Sequence, residues 1–260
     1  MNGIQRIQQS FTHHQSFIAY LTAGDGGIQR TLDASLALIA GGVNMLEIGV
    51  PFSDPIADGP VIQRAASRAL AKGTTLQDVL WLAVQIRKHS AIPLILFSYL
   101  NPVLAALDGS FFQEAKDAGI DGALIVDCPI EESAVFHQTC LAQQMAPIYV
   151  ITPSTPAARI QRIDQYGEGF LYYACRKGTT GMQSALPSDF SERMQQIKSL
   201  THLPVVTGFG ISTAEAAKSV LQYADGVVVG SLFVKAMEDG ASPHVLEMIA
   251  SRINPLRGSK

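Results

Sequence analysis

The chain has 260 residues, 47% of them hydrophobic and 16% charged, with a formal net charge of -3 at pH 7. That balance offers no basic footprint for nucleic acid and no polybasic run for an anionic membrane. No stretch reaches the roughly 18 apolar residues that a membrane span requires.

In chain order, a helix is expected near Gly3–His13, in a segment of Gln and Ser with none of the apolar character of a signal peptide. The first strand runs over Ser16–Leu21 and leads into a loop carrying Asp25. Leu32, Leu36 and Ile39 mark a helix that Gly41-Gly42 ends. The second strand, Asn44–Ile48, is apolar except for Glu47, and a long loop, Val50 to Pro60, follows with three prolines, Asp54 and Asp58. After a Gly73 stop, Thr74-x-x-Gln77 reads as a capping box opening a helix with Leu76, Val79, Leu80, Ala83 and Val84 on one face. The third strand is Pro93–Phe97, followed by a Tyr99-Leu100-Asn101-Pro102 loop, and the fourth is Gly122–Val126, followed by Asp127-Cys128-Pro129. Pro147–Ile151 and Gly169–Tyr173 are the fifth and sixth strands, with Arg176 to Gly181 forming a loop after the sixth. Leu203–Thr207 leads through Gly208-Phe209-Gly210-Ile211-Ser212 to a helix opened by Ser212-x-x-Glu215, with Ala216, Val220 and Leu221 on its apolar face. The eighth strand, Asp225–Val229, ends at Gly230-Ser231.

Most of these strands are unbroken apolar runs, which suits parallel strands covered on both faces. Eight of them alternating with helices imply crossover units closed into a (β/α)8 TIM barrel, with the extra N-terminal helix ahead of the first strand. No composition shift divides the chain, so residues 1–260 read as one domain. An open doubly wound sheet is the runner-up, but no strand-to-helix turn carries G-x-G-x-x-G. Cys128, Cys140 and Cys175 are too scattered for a disulfide framework or a metal site, which fits a reducing, cytoplasmic setting.

In such barrels the reacting face lies at the C-terminal ends of the strands, where the informative loops fall. A carboxylate between Leu46 and Ile48 is costly to bury without a partner or a task. If its neighbours face the helices, Glu47 points into the barrel mouth, where an apolar setting favours the protonated form and suits a general acid. The alternative is a strand carboxylate bonded to a core hydroxyl or amide. Asp58 is either a charge at a helix N-terminus or a carboxylate offered to a substrate N–H, and Asp54 reads equally well as a turn residue. Glycines and serines after strands seven and eight form a candidate phosphate site, since backbone N–H groups and helix N-termini attract anions. Tyr20, Tyr99, Tyr172 and Phe209 lie near strand ends and could wall a flat aromatic pocket. The six histidines fall on or near helical segments away from those ends. Lys177 and Lys235 lie outside strands, which weakens a Schiff-base mechanism.

The stretch Leu46 to Gln63, LEIGVPFSDPIADGPVIQ, resembles the signature of the tryptophan synthase alpha subunit family. Tyr20 to Asp25, Asp127 to Ser133 and Thr207 to Ser212 resemble further loops of that family, and the likeness runs from about Phe17 to Lys235. It implies retro-aldol cleavage of indole-3-glycerol phosphate to indole and glyceraldehyde 3-phosphate, without a metal. Glu47 matches the general acid/base that protonates indole C3, and Asp58 the carboxylate that binds the indole N–H. Gly181, Gly210, Gly230 and Ser231 match phosphate contacts, and Tyr20, Phe97, Tyr99, Tyr172, Thr180 and Phe209 match pocket or loop positions. The resemblance implies no cofactor in this chain and a beta subunit carrying pyridoxal phosphate, joined in an alpha2beta2 tetramer through which indole is channelled. Gly26, Thr179 and Met182-Gln183-Ser184 depart from the family pattern, and Tyr20 and Phe97 reshape the pocket. A phosphosugar isomerase would call for a late glutamate with a histidine base, and an indole-glycerol phosphate synthase for strand lysines; neither set is present. The remaining alternative is a subunit that binds indole-glycerol phosphate and activates a partner without turnover.

Overall fold

The computed structural model describes residues 1–12, 15–105, 110–175, 186–208 and 210–256. Eight strands alternate with helices from end to end. The first half comprises α1 (Gly3–Thr12), β1 (Ser16–Thr22), α2 (Ile28–Ala40), β2 (Met45–Gly49), α3 (Pro60–Ala71), α4 (Leu76–Arg87), β3 (Leu94–Ser98), α5 (Leu100–Ala105), α6 (Phe111–Asp117) and β4 (Gly122–Ile125). The second half comprises α7 (Ala134–Ala142), β5 (Ala146–Ile151), α8 (Ala157–Tyr166), β6 (Leu171–Tyr173), α9 (Phe190–Lys198), β7 (Val205–Gly208), α10 (Ala214–Leu221), β8 (Gly226–Val229), α11 (Ser231–Glu238) and α12 (Pro243–Ile253). The strands are parallel and close on themselves in sequence order, β8 pairing back onto β1 with Ile18 opposite Val228. The fold is the (β/α)8 barrel that the apolar runs predict, with the extra helix in front.

Alternate residues along each strand serve two cores. Leu46 and Ile48 of β2 pack outward with Leu38, Leu82 and Ile86 of the surrounding helices. Met45 of the same strand packs inward with Ile18, Ile95, Leu124, Ile148 and Phe170. Period-two alternation therefore turns Glu47 toward the barrel axis. Below it the interior is apolar and filled, so this end is a packed plug. The floor is α1, whose fully buried Ile7 reaches Gly122 and Gly169 at the lower ends of the central strands. Arg6 of α1 and Arg87 of α4 both pair with Asp121, whose carboxylate also accepts the Leu94 N–H at 2.9 Å.

Three local expectations need correction. The cap of α4 is Thr75, one residue beyond Thr74: its hydroxyl accepts the Asp78 N–H, and Asp78 accepts the Thr75 N–H at 2.8 Å. Likewise Thr213, and not Ser212, caps α10 by accepting the Ala216 N–H at 3.2 Å. The segment after β3 is a short helix, α5, where the sequence reads as loop.

Candidate active site

Glu47 sits in the middle of β2, in register with Tyr20 on β1 and Ile95 on β3. It is 1% exposed, and its Oε1 has no hydrogen-bond partner among the described residues. Burial alone pushes its carboxyl up to about 8, so the group holds its proton at neutral pH. Among the described residues, no core hydroxyl or amide satisfies Oε1, as a purely structural role would call for.

Asp58 enters from the loop between β2 and α3. Its backbone N–H bonds to the Pro55 carbonyl at 3.1 Å, and its carbonyl accepts from Gln63 Nε2 at 2.9 Å, which fixes the turn into α3. The carboxylate is 6% exposed and accepts the Tyr99 hydroxyl at 3.0 Å. Burial pushes the Asp58 carboxyl up to about 6 while the Tyr99 bond pulls it down, leaving the group largely ionised at neutral pH. Asp54, by contrast, is exposed on the same loop and accepts from Ser53, as a turn residue does.

Two tyrosines complete the centre. The Tyr20 ring meets Phe97 edge-on, with centroids 5.3 Å apart, and its hydroxyl lies 3.4 Å from Thr22 Oγ1. Its hydroxyl also occupies the space beside Gly49 where any side chain would overlap it. Tyr172 does the same beside Gly208. Glycine at these two strand ends is therefore a packing requirement: each notch seats a tyrosine from the preceding strand. Tyr20 is buried and Tyr172 partly buried; both phenols are pushed up, by desolvation first and then by the charges that Glu47 and Asp58 carry once ionised. The two carboxyls and two tyrosines thus share one electrostatic neighbourhood at the C-terminal mouth of the barrel.

Across the mouth, Gly230 caps α11, and Ser231 is its first residue, nearly buried. Gly210 precedes α10 with a φ of 27°. The structure therefore places Tyr20, Glu47, Phe97 and Tyr172 within β1, β2, β3 and β6, facing the barrel interior, and Asp58, Tyr99, Gly210, Gly230 and Ser231 in the segments beyond the C-terminal strand ends. Thr180, Gly181 and Phe209 lie outside the described residues, as does Lys177. Lys235 is turned away, paired with Glu238 and Asp239. Among the described residues, no group of three or more His, Cys, Asp or Glu side chains is placed to hold a metal ion.

Two features escaped the sequence reading. Tyr99 bonds to the acid-bearing loop instead of only walling the pocket. Asp25 is buried in a two-point ion pair with Arg68 of α3, at 2.7 and 2.9 Å, and Arg68 also reaches Glu238 of α11 at 2.7 Å. Both pairings join residues more than forty positions apart, beyond the reach of local spacing. Gly26, which stands where the family pattern has a proline, has a φ of 78°, outside the range a proline ring allows.

A family model described as tryptophan synthase alpha chain matches residues 7–254. A tryptophan synthase alpha chain of Coxiella burnetii (strain RSA 493 / Nine Mile phase I) is 55% identical over 252 residues, covering 97% of this chain and 94% of that one. One from Chlamydia caviae is 44% identical over 256 residues, covering 97% and 99%. Among solved structures, tryptophan synthase subunit alpha from Legionella pneumophila str. Paris superposes with a TM-score of 0.85 at 35% identity, covering 97% of each chain. Mycobacterium tuberculosis tryptophan synthase superposes with a TM-score of 0.87 at 27% identity, covering 96% of this chain and 95% of that one.

Proposed function

The chain belongs to the tryptophan synthase alpha chain family, a lyase of tryptophan biosynthesis that cleaves indole-3-glycerol phosphate, and from that premise we propose that Glu47 and Asp58 divide the proton chemistry between them. The observation that carries this reading is the contrast in their surroundings: Glu47 is buried inside the barrel with Oε1 unpartnered among the described residues, which favours its protonated form, and Asp58 at the rim accepts a bond from Tyr99, which favours its carboxylate. Asp58 accepts the indole N–H and stabilises the positive charge that develops on the ring nitrogen. Glu47 delivers its proton to C3, giving the indoleninium cation, whose N–H stays bonded to the Asp58 carboxylate. As carboxylate, it then takes the proton of the hydroxyl on the adjacent glycerol carbon. That carbon becomes the aldehyde, the C–C bond breaks, and its electron pair returns to the ring to release indole. Glu47 ends protonated, so the cycle closes with no other acid or base.

Gly210, Gly230 and Ser231 provide backbone and hydroxyl groups at the helix N-termini for the phosphate, joined in this reading by Gly181. Tyr20, Phe97 and Tyr172 flank the indole, with Thr180 and Phe209 as further pocket positions. We take residues 1–260 as one barrel domain working in the cytoplasm. Among the described residues, no helix is long and apolar enough to cross a membrane.

The family name implies a beta subunit as partner. In the fuller reading the two form an alpha2beta2 tetramer, the beta subunit carries pyridoxal phosphate, and indole passes to it directly. A surface that supports this lies beside the mouth, where Ile56, Leu104 and Val135 are exposed on the segments after β2, β3 and β4. Ile56 is 77% exposed, an unusual place for a large apolar side chain on a loop anchored at both ends.

The deciding experiment follows indole release from indole-3-glycerol phosphate, with and without a beta subunit. Wild type is expected to release indole, faster with the partner. Glu47→Gln, which cannot donate the proton, is expected to lose about a hundred- to ten-thousandfold, the range that general acid–base catalysis is worth. Unchanged release from Glu47→Gln would overturn the assignment.

A further inference from the structure

Tyr99 is the first residue after β3, and its ring is 2% exposed. Its hydroxyl has two bonds, both to the loop between β2 and α3. It accepts the Ala57 N–H at 3.0 Å and donates to Asp58 Oδ2 at 3.0 Å. The ring face packs on Phe52 of the same loop, with centroids 5.1 Å apart and planes 32° apart. One side chain on a rigid strand end therefore holds the loop near its start, near its end and at the carboxylate itself. Between these points Ser53, Asp54, Ile56 and Ala57 are exposed, and the Ile56 and Asp58 N–H groups bond to near neighbours in the chain, the Asp54 and Pro55 carbonyls.

A phenol has one proton to donate. With that proton committed to Asp58, the oxygen presents a lone pair to Ala57, and the two bonds polarise each other in the same sense. The arrangement favours the ionised form of Asp58 and aligns the carboxylate before any substrate arrives. Burial works in the opposite direction, pushing the Asp58 proton affinity up. Tyr99 itself is far from titrating, because burial and the neighbouring Asp58 charge both push its phenol up.

We propose that Tyr99 is a positioning residue for the lyase reaction, acting through Asp58 by orienting its carboxylate and keeping it ionised down to the lower end of the working pH range. The proposal rests on the reading that Asp58 binds the indole N–H as a carboxylate. It goes beyond a pocket wall, which would need the ring and not the hydroxyl.

Tyr99→Phe keeps the ring and the Phe52 packing and deletes only the hydroxyl. The expected result is a fall in kcat/KM for indole-3-glycerol phosphate of about tenfold or more, the scale of one hydrogen bond to a charged group. The acidic limb of the pH profile of kcat/KM is expected to move up by about one pH unit, because Asp58 loses the donor that favours its charge. Carbon-13 NMR titration of the Asp58 carboxyl in the unliganded chain should show the same upward move without turnover. In an Asp58→Asn background, Tyr99→Phe should have little further effect, since the two act as one unit. Replacing Tyr99 with 3-fluorotyrosine, a more acidic phenol of nearly the same size, should move the acidic limb down, and this variant keeps the packing if Tyr99→Phe does not fold. An unmoved acidic limb, or an undiminished Tyr99→Phe effect in the Asp58→Asn background, would overturn the proposal. If instead Asp58→Asn itself retains full activity, the reading of Asp58 fails first, and the two failures are told apart.

Discussion

Glu47 and Asp58 show how far a barrel interior can move a carboxyl when the cause is desolvation: one rises to about 8 and the other, with a phenol to bond, only to about 6. Both folded values lie above the ordinary ones, so the folded chain keeps protons that the unfolded chain has released. Their contribution to stability is therefore fully present at low pH. It declines as pH rises from about 4 to about 6 through Asp58, and from about 4.5 to about 8 through Glu47. Glu47→Gln cannot ionise, so urea unfolding at pH 9 should find it more stable than wild type by on the order of a few kcal/mol. The advantage should vanish near pH 4; parallel stability curves across that range would show that Glu47 is not buried as a proton-holding group. The sequence made Glu47 conspicuous because a single carboxyl interrupts an apolar strand. It could not show how Tyr99 restrains Asp58, since that bond crosses 41 positions and depends on how β3 and the following turn sit beside β2.

Strands were legible to within about two residues at either end, because parallel strands covered on both sides leave no polar face to blur the pattern. Helix starts were less so, and for a specific reason. Thr74-Thr75 and Ser212-Thr213 are pairs of adjacent residues equally able to cap, and the choice between them is made by backbone geometry. Thr75 and Thr213 have the extended backbone a cap requires, with ψ of 170° and 157°. Thr75→Ala should therefore lower stability by about 1 kcal/mol in thermal or urea melts. An unaltered stability would mean that the capping box of α4 contributes nothing. The Asp25–Arg68–Glu238 chain of ion pairs works between elements in the same way, fastening the loop after β1 to α3 and α11. No periodicity announces it.

The molecule as a whole has a closed floor and an open roof. α1 seals the lower end through Ile7, fully buried against the glycines at the lower ends of β4 and β6, and through Arg6 on Asp121. Ile7→Ala should cost about 2–5 kcal/mol, the range for a large aliphatic side chain removed from a tight core. It should do so while leaving the indole release of the remaining folded protein close to wild type, because the plug and the mouth lie at opposite ends of the strands. A lost KM with unchanged stability would contradict that separation. At the upper end, the notches at Gly49 and Gly208 tie the calibre of the pocket to pairs of residues on neighbouring strands. Positions 20 and 49, and positions 172 and 208, are in effect two-letter words: neither letter changes safely alone. A smaller residue in place of either tyrosine leaves a vacant slot of aromatic width beside the bare glycine. Reshaping this mouth to admit substituted indoles should therefore begin by emptying a notch from the tyrosine side, while a glycine changed first jams it.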